Sequence, residues 1–167
     1  MPVAAAPLIR RLRLAAGLTL FAYVASHLLN HALGLVSYGA MEAGLTWALV
    51  LWRSVPGTLA LYGAFLTHLA LGLWSLYRRR TLRMPPWEAA QLVLGLAIPT
   101  LLLFHVAGTR LTDGLLGTTP SYARVLLFLW TVEPVAGIRQ VLLLLIAWIH
   151  GCMGVHFWLR FRPWYGR

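Results

Sequence analysis

The sequence predicts an all-α membrane protein whose four transmembrane helices pack into one bundle over residues 1–167. Three observations support this fold class: four long runs contain no charged residue, 60% of the 167 residues are hydrophobic, and only 11% are charged. A soluble domain carries about 25% charged residues, so this composition is typical of a protein in lipid. Because the lipid interior offers the backbone no hydrogen-bond partners, apolar runs of this length are expected to be helices.

The charge-free runs define the spans, since a bilayer crossing takes about 20 residues and each run meets that length. We expect the four spans near residues 12–36, 56–78, 87–109 and 135–160. Residues 41–52 and residues 125–132 are too short to cross and are expected to form two interfacial helices on the outer side of the membrane. Pro120 and Pro134 bracket the second of these, and Pro56 marks the start of the second span.

The arginines indicate how the chain is oriented. All 14 basic residues are arginines, and against 4 acidic residues they give a net charge of +10. They stand at the ends of the apolar runs, which indicates membrane topology and lipid headgroup contact and argues against nucleic-acid binding. With the N-terminus inside, ten arginines fall in inner segments and four in outer ones. This bias predicts that both termini are cytoplasmic. The expected location is a bacterial inner membrane.

Four histidines, one in each charge-free run, are the candidate functional residues: His27, His68, His105 and His150. An ionisable side chain is costly in lipid and is by default interpreted as functional. Imidazole is also a common axial ligand of haem iron. The alternative for any one of these histidines is a hydrogen bond to a neighbouring helix.

Counting residues from the nearest inner charge places these histidines at two depths. At about 1.5 Å per residue, His27 and His105 lie about 24 to 25 Å from the inner face, and His68 and His150 about 15 Å from it. Two histidines at each level predict two bis-histidine haems, an outer one held by His27 and His105 and an inner one held by His68 and His150. Cys152 is the only cysteine and no Cys-x-x-Cys-His motif occurs, so the expected cofactor is non-covalent haem b.

Four glycines stand at repeated distances from these histidines. Gly17 and Gly95 each precede a histidine by ten residues, and Gly72 and Gly154 each follow one by four. Ten residues are about 15 Å of helix, so Gly17 and Gly95 are expected at the inner level, where they leave room for a flat macrocycle. Gly72 and Gly154 are expected to clear the ring in the same way. The alternative is that these small residues only let helices approach each other.

Three further residues are candidates for cofactor or lipid contacts. His31 lies one turn beyond His27 and is either the alternative outer ligand or a hydrogen-bond partner for a haem propionate or a quinone. Arg110 lies five residues beyond His105, and an arginine pairs well with a carboxylate such as a propionate. His156, near the inner end of the last span, is expected to contact a propionate or a lipid headgroup.

A family resemblance is spread over most of the chain. It is carried by Arg10-Arg11-Leu12 with Gly17 and His27, by His68 to Tyr77 with Gly72, by Gln91, Gly95 and His105 before Thr109-Arg110, and by His150 with Gly154. In these residues the chain resembles the di-haem cytochrome b subunit of succinate dehydrogenases and fumarate reductases. The resemblance implies two haem b groups, each bound by two histidines from different helices. Those subunits usually have a fifth span, whereas four are predicted for this chain.

The stretch from Ser26 to Glu42 is more similar to a second group, the cytochrome-b-like membrane anchors that precede bacterial class III adenylate cyclases. That resemblance implies an anchor portion of a longer protein, with a cyclase domain beyond residue 167. No cyclase residues occur in the chain, so we predict no catalytic residue of its own.

Three alternative functions are therefore considered. The first is electron transfer across the bilayer through two six-coordinate haems, with quinone as a candidate at one end. The second is a redox or quinone sensor that regulates a C-terminal adenylate cyclase, and the third is a haem-free membrane anchor. The candidate partners are the lipid bilayer, quinone, a cyclase domain or a soluble redox partner, and a second copy of the chain as a homodimer; nucleic acid is not expected.

Overall fold

The computed structural model describes residues 5–165, and every regular element in that range is helical. Four of these helices are long and apolar enough to cross a membrane: Pro7–Leu35, Val55–Tyr77, Pro86–Leu116 and Pro134–Leu159. The predicted all-α fold with four candidate membrane spans is thereby confirmed. The membrane in which they lie and the side on which the termini stand remain predictions.

The chain forms two compact units that divide between Met84 and Pro85. In the first unit, α1 (Ala5–Ala32) packs antiparallel against α3 (Val55–Tyr77). A 3₁₀ turn (Leu33–Leu35) and the shorter α2 (Tyr38–Trp52) connect them, and α2 contacts both long helices. The first unit is therefore a hairpin of two long helices with a short helix at its closed end.

The second unit has the same plan. Its long helices are α4 (Pro86–Val106) and α7 (Pro134–Leu159), which pack antiparallel against each other. Between them lie α5 (Thr112–Leu116) and α6 (Tyr122–Leu127), each joined to a π-helical segment, Ala107–Leu111 and Phe128–Val132 respectively. The single membrane domain expected over residues 1–167 remains a prediction.

Serine and proline set the helix starts. The hydroxyl of Ser37 accepts a hydrogen bond from the Ala40 amide at 3.0 Å, and that of Ser54 accepts one from the Gly57 amide at 3.1 Å. Such caps satisfy backbone N–H groups that have no partner inside the helix. Proline stands in the first turn of each of the three later long helices, where its fixed φ suits the helix and no donor is lost.

The helix limits differ from the predicted span limits at two places. The first helix begins at Ala5, so it includes the three arginines that precede the charge-free run. The third continues through the π segment Ala107–Leu111 as far as Leu116, and Gly117 (φ 63°) ends it in the left-handed conformation that glycine favours. Charges mark where lipid ends, whereas a helix continues into water as long as its backbone bonds are made.

The outer surfaces of the long helices are apolar. At most 6% of the most hydrophobic 18-residue window of each candidate span is buried inside the protein. Large apolar side chains such as Leu66 and Leu103, which are 62% and 68% exposed, lie in the middle of these helices. Exposed apolar area on this scale is costly in water, so the finding supports lipid as the medium around the helices.

A buried carboxylate organises the chain between the long helices of the second unit. Asp113 is only 7% exposed. It accepts hydrogen bonds from the Thr118 hydroxyl, at 3.0 Å, and from the Arg124 guanidinium. Because Thr118 follows α5 and Arg124 lies on α6, this one side chain ties the two short helices and their connection together.

We expect Asp113→Ala to destabilise the protein by about 1–3 kcal/mol, the range for losing hydrogen bonds to a charged group. The measurement is thermal unfolding in detergent, with Glu133→Gln, a substitution at an exposed glutamate, as the control. A melting temperature lowered equally by both substitutions would contradict a specific role for Asp113.

Candidate functional site

His68 connects the two long helices of the first unit. Its Nδ1 lies 3.2 Å from the backbone carbonyl oxygen of Arg13 on α1. Since a carbonyl oxygen only accepts, Nδ1 carries the proton and donates it. The bond therefore bridges α3 to α1 and determines which ring nitrogen of His68 is protonated.

Gly17 makes this bond sterically possible. A Cβ atom at Gly17 would lie 2.9 Å from Cε1 of His68 and 3.1 Å from its Nδ1, closer than such atoms pack. Arg13 is four residues before Gly17, so its carbonyl lies one helical turn away on the same face. The missing side chain leaves room for the imidazole to approach α1 and reach that carbonyl.

His150 repeats the arrangement in the second unit. Its Nδ1 lies 3.1 Å from the backbone carbonyl oxygen of Gln91 on α4. Gln91 is four residues before Gly95, and a Cβ at Gly95 would lie 2.8 Å from Cε1 of His150. The two units therefore share one arrangement. A histidine of the second long helix packs against a glycine of the first long helix. It donates a hydrogen bond to the backbone carbonyl one turn before that glycine.

These contacts agree with the predicted depths. Gly17 lies at the level of His68 and Gly95 at the level of His150, as the ten-residue spacings indicated. The sequence predicted that both glycines leave room for a macrocycle, whereas in the structure an imidazole ring lies over each of them. A role of these glycines toward haem itself stays a prediction.

His105 has a side-chain partner. Its Nδ1 lies 3.0 Å from Oε1 of Gln140 on α7, and both side chains are half-buried. The amide oxygen can only accept, so Nδ1 again carries the proton. This bond bridges α4 and α7 near the opposite end of the unit from the His150 bond.

Three of the four predicted ligands are thus held as the same tautomer. His68, His105 and His150 each donate Nδ1–H to an oxygen, which leaves the ring's lone pair on Nε2. Metal-ligating histidines typically donate their other ring N–H to a carbonyl or carboxylate, an arrangement that orients the ring and raises its basicity. Nε2 of each of these three histidines is therefore suited to ligate haem iron.

His27 is held differently. Its Nε2 lies 3.1 Å from Nε2 of His31, one turn along α1, and the two rings meet edge to face at 4.5 Å. Tyr23, one turn before, stacks on the other side with its ring centroid 5.6 Å away. In this pair one Nε2 donates and the other accepts, so either histidine must turn away from the other before its Nε2 can ligate iron.

The remaining candidate residues lie apart from these bonds. No heavy atom of the described chain lies within 4 Å of a Cβ placed at Gly72, and at Gly154 the nearest is Nε2 of Gln91 at 3.5 Å. Arg110 is half-buried in the π segment that follows α4. His156 is exposed, and its Nδ1 lies 3.1 Å from the Tyr165 hydroxyl.

Gln140 is the functional candidate that the sequence reasoning missed. A signal for it exists, because Gln140 precedes His150 by ten residues on a span that is predicted to run inward. The same count that places Gly17 ten residues from His27 would have placed Gln140 at the outer level, beside His105. The carbonyls of Arg13 and Gln91 carry no such signal, because every residue has one.

Among residues 5–165, no three histidine, cysteine, aspartate or glutamate side chains form a group that could hold a metal ion. Structural zinc sites need about four protein ligands, so such a site is not indicated within that range. Haem iron is held by the porphyrin and needs only axial ligands from the protein, so this result does not bear on it.

Comparison with known proteins adds no family to these findings. No protein-family model matches the chain, and no curated protein and no solved structure matches it. The resemblance to di-haem cytochrome b subunits and cyclase anchors therefore stays a prediction from the sequence.

We expect Gly17→Ala and Gly95→Ala each to destabilise the protein by about 1–3 kcal/mol, the usual cost of overpacking. The added methyl displaces an imidazole and breaks its bond to the carbonyl. Gly63→Ala on α3 is the matched control, because no described atom lies within 4 Å of a Cβ there. This control should gain up to about 1 kcal/mol from better helix propensity.

Unfolding in detergent measures the loss of stability. The ¹⁵N chemical shifts of the imidazoles report whether the bond from Nδ1 to the carbonyl is broken. This role of the glycines would be contradicted if Gly17→Ala and Gly95→Ala changed the free energy of unfolding no differently from Gly63→Ala. Unchanged tautomers of His68 and His150 would contradict it as well.

Proposed function

We propose that this chain is a membrane cytochrome that binds two haem b groups through paired histidines and passes electrons across the bilayer. His27 and His105 are the proposed ligands of the outer haem, and His68 and His150 those of the inner one. The pairing comes from the sequence depths. The two units contribute equivalent residues to it, since each long-helix pair carries one histidine at each level.

The observation that supports this proposal most directly is the shared Nδ1–H bond of His68, His105 and His150 to an oxygen. A histidine that only bridges helices could use either ring nitrogen. The use of Nδ1 in all three is the arrangement that orients Nε2 toward a metal. Placing an ionisable side chain in each of four apolar helices costs free energy in lipid, which favours a functional role for these histidines.

Haem supplies one-electron redox chemistry when bound, and the protein residues position it and tune it. Two histidines would hold each haem, which would favour electron transfer over oxygen chemistry. Arg110 is the proposed partner of a propionate carboxylate at the outer level. Quinone and a soluble redox protein are the proposed electron partners, and the arginine distribution supports a topology with both termini in the cytoplasm.

A second candidate function is a haem-free membrane anchor, in which the histidines only join helices. It is supported by the same bonds, because His68 joins α3 to α1 and His150 joins α7 to α4 without a cofactor. The two functions differ in whether the protein holds iron, so cofactor content separates them.

We expect the purified protein to give a reduced-minus-oxidised spectrum of b-type haem and about two haems per chain by pyridine haemochrome. Each of His68→Ala and His105→Ala should halve that content, because each removes one axial ligand. His156→Ala should retain both haems, since His156 is a predicted contact and not a ligand. A folded wild-type protein without haem would overturn the proposal and favour the anchor.

The outer ligand on α1 is decided by comparing His27→Ala with His31→Ala. We expect His27→Ala to lose one haem and His31→Ala to keep two, because His27 shares the ten-residue spacing from a glycine that His105 has. The opposite result would assign the ligand to His31, and loss of one haem in both variants would mean that the His27–His31 bond is needed for binding.

A further inference from the structure

The Nδ1 acceptors of the three similarly held histidines are chemically different. His68 and His150 donate to backbone carbonyls, which belong to the helices and are the same whatever side chain stands there. His105 donates to the side-chain amide oxygen of Gln140. The acceptor for His105 is thus the only one of the three that a substitution can change.

Gln140 is placed to hold this bond. It follows the buried residues Ala136 and Gly137 by one turn of α7 and precedes buried Leu143 by three residues. This is one helix face, and it is the face from which the Gln140 side chain reaches His105 on α4. In this arrangement the amide oxygen of Gln140 lies 3.0 Å from Nδ1 of His105.

We infer that Gln140 is a positioning residue that sets the reduction potential of the haem ligated by His105. The inference rests on the proposed function. A hydrogen bond from Nδ1–H to an oxygen makes the imidazole a more basic ligand. A more basic ligand stabilises ferric iron relative to ferrous iron, so a stronger acceptor lowers the potential and a lost acceptor raises it.

The amide is a moderate acceptor, and its neutrality suits the membrane. A carboxylate at this position would accept more strongly but would place a charge within an apolar helix, which is costly. An apolar side chain would leave the Nδ1–H of His105 without this partner. Glutamine therefore sets a reduction potential between those expected for a carboxylate and for an apolar side chain. His68 and His150 use a backbone carbonyl in its place.

The test is a spectroelectrochemical titration of the whole protein in detergent, with Gln140→Leu and Gln140→Glu. Gln140→Leu should favour the reduced form of one haem about tenfold, an upward shift of about 59 mV for a one-electron couple. Gln140→Glu should shift the same haem downward at a pH at which the new carboxyl group is ionised, because a carboxylate is a stronger acceptor than the amide. The second haem is an internal control, and Val141→Leu, at the exposed next residue of α7, is the matched substitution control.

Opposite shifts confined to one haem, absent in Val141→Leu, would support the inference. Two haems with unchanged potentials in both Gln140 variants, or equal shifts of both haems, would overturn it while leaving haem binding intact. If Gln140→Leu fails to hold its haem, Gln140→Glu alone decides: a lowered potential supports the inference and an unchanged one overturns it. A wild-type protein without haem would fail at the earlier step and overturn the proposed function itself.

Discussion

A histidine inside a membrane span must find its hydrogen-bond partner within the protein, because the lipid interior supplies none. His68 and His150 meet this requirement with a backbone carbonyl of the paired long helix. That solution requires a residue without a side chain one turn beyond the carbonyl, so it also accounts for Gly17 and Gly95. The same bonds join α3 to α1 and α7 to α4.

The bond that joins the helices also orients the ring. With Nδ1 occupied, the lone pair of each imidazole is on Nε2, and the direction of Nε2 depends on how the two helices pack. Helix packing and the direction of Nε2 are therefore linked in each unit, and a substitution that loosens the helix pair is expected to disturb both. For this reason cofactor content and reduction potential are more informative about function here than stability alone.

Much of the fold was predictable because lipid acts locally on the sequence. Span length and the absence of charge follow from bilayer thickness and dielectric, so charge-free runs identified the four long helices. The constant helical rise also predicted that Gly17 lies level with His68 and Gly95 with His150, and each pair is in contact. Helix ends were less predictable, since α1 begins before its arginines and the helix that starts with α4 continues past Arg110 to Leu116.

The sequence by itself determined the fold class and the number of candidate spans, since these depend on composition and on the length of the apolar runs. The tertiary structure decided which atom each imidazole bonds: a carbonyl of α1 or α4, the Gln140 amide, or His31 on the same helix. These choices depend on how each helix is rotated about its axis when it packs. Backbone carbonyls occur at every residue, so only packing distinguishes the one that is used.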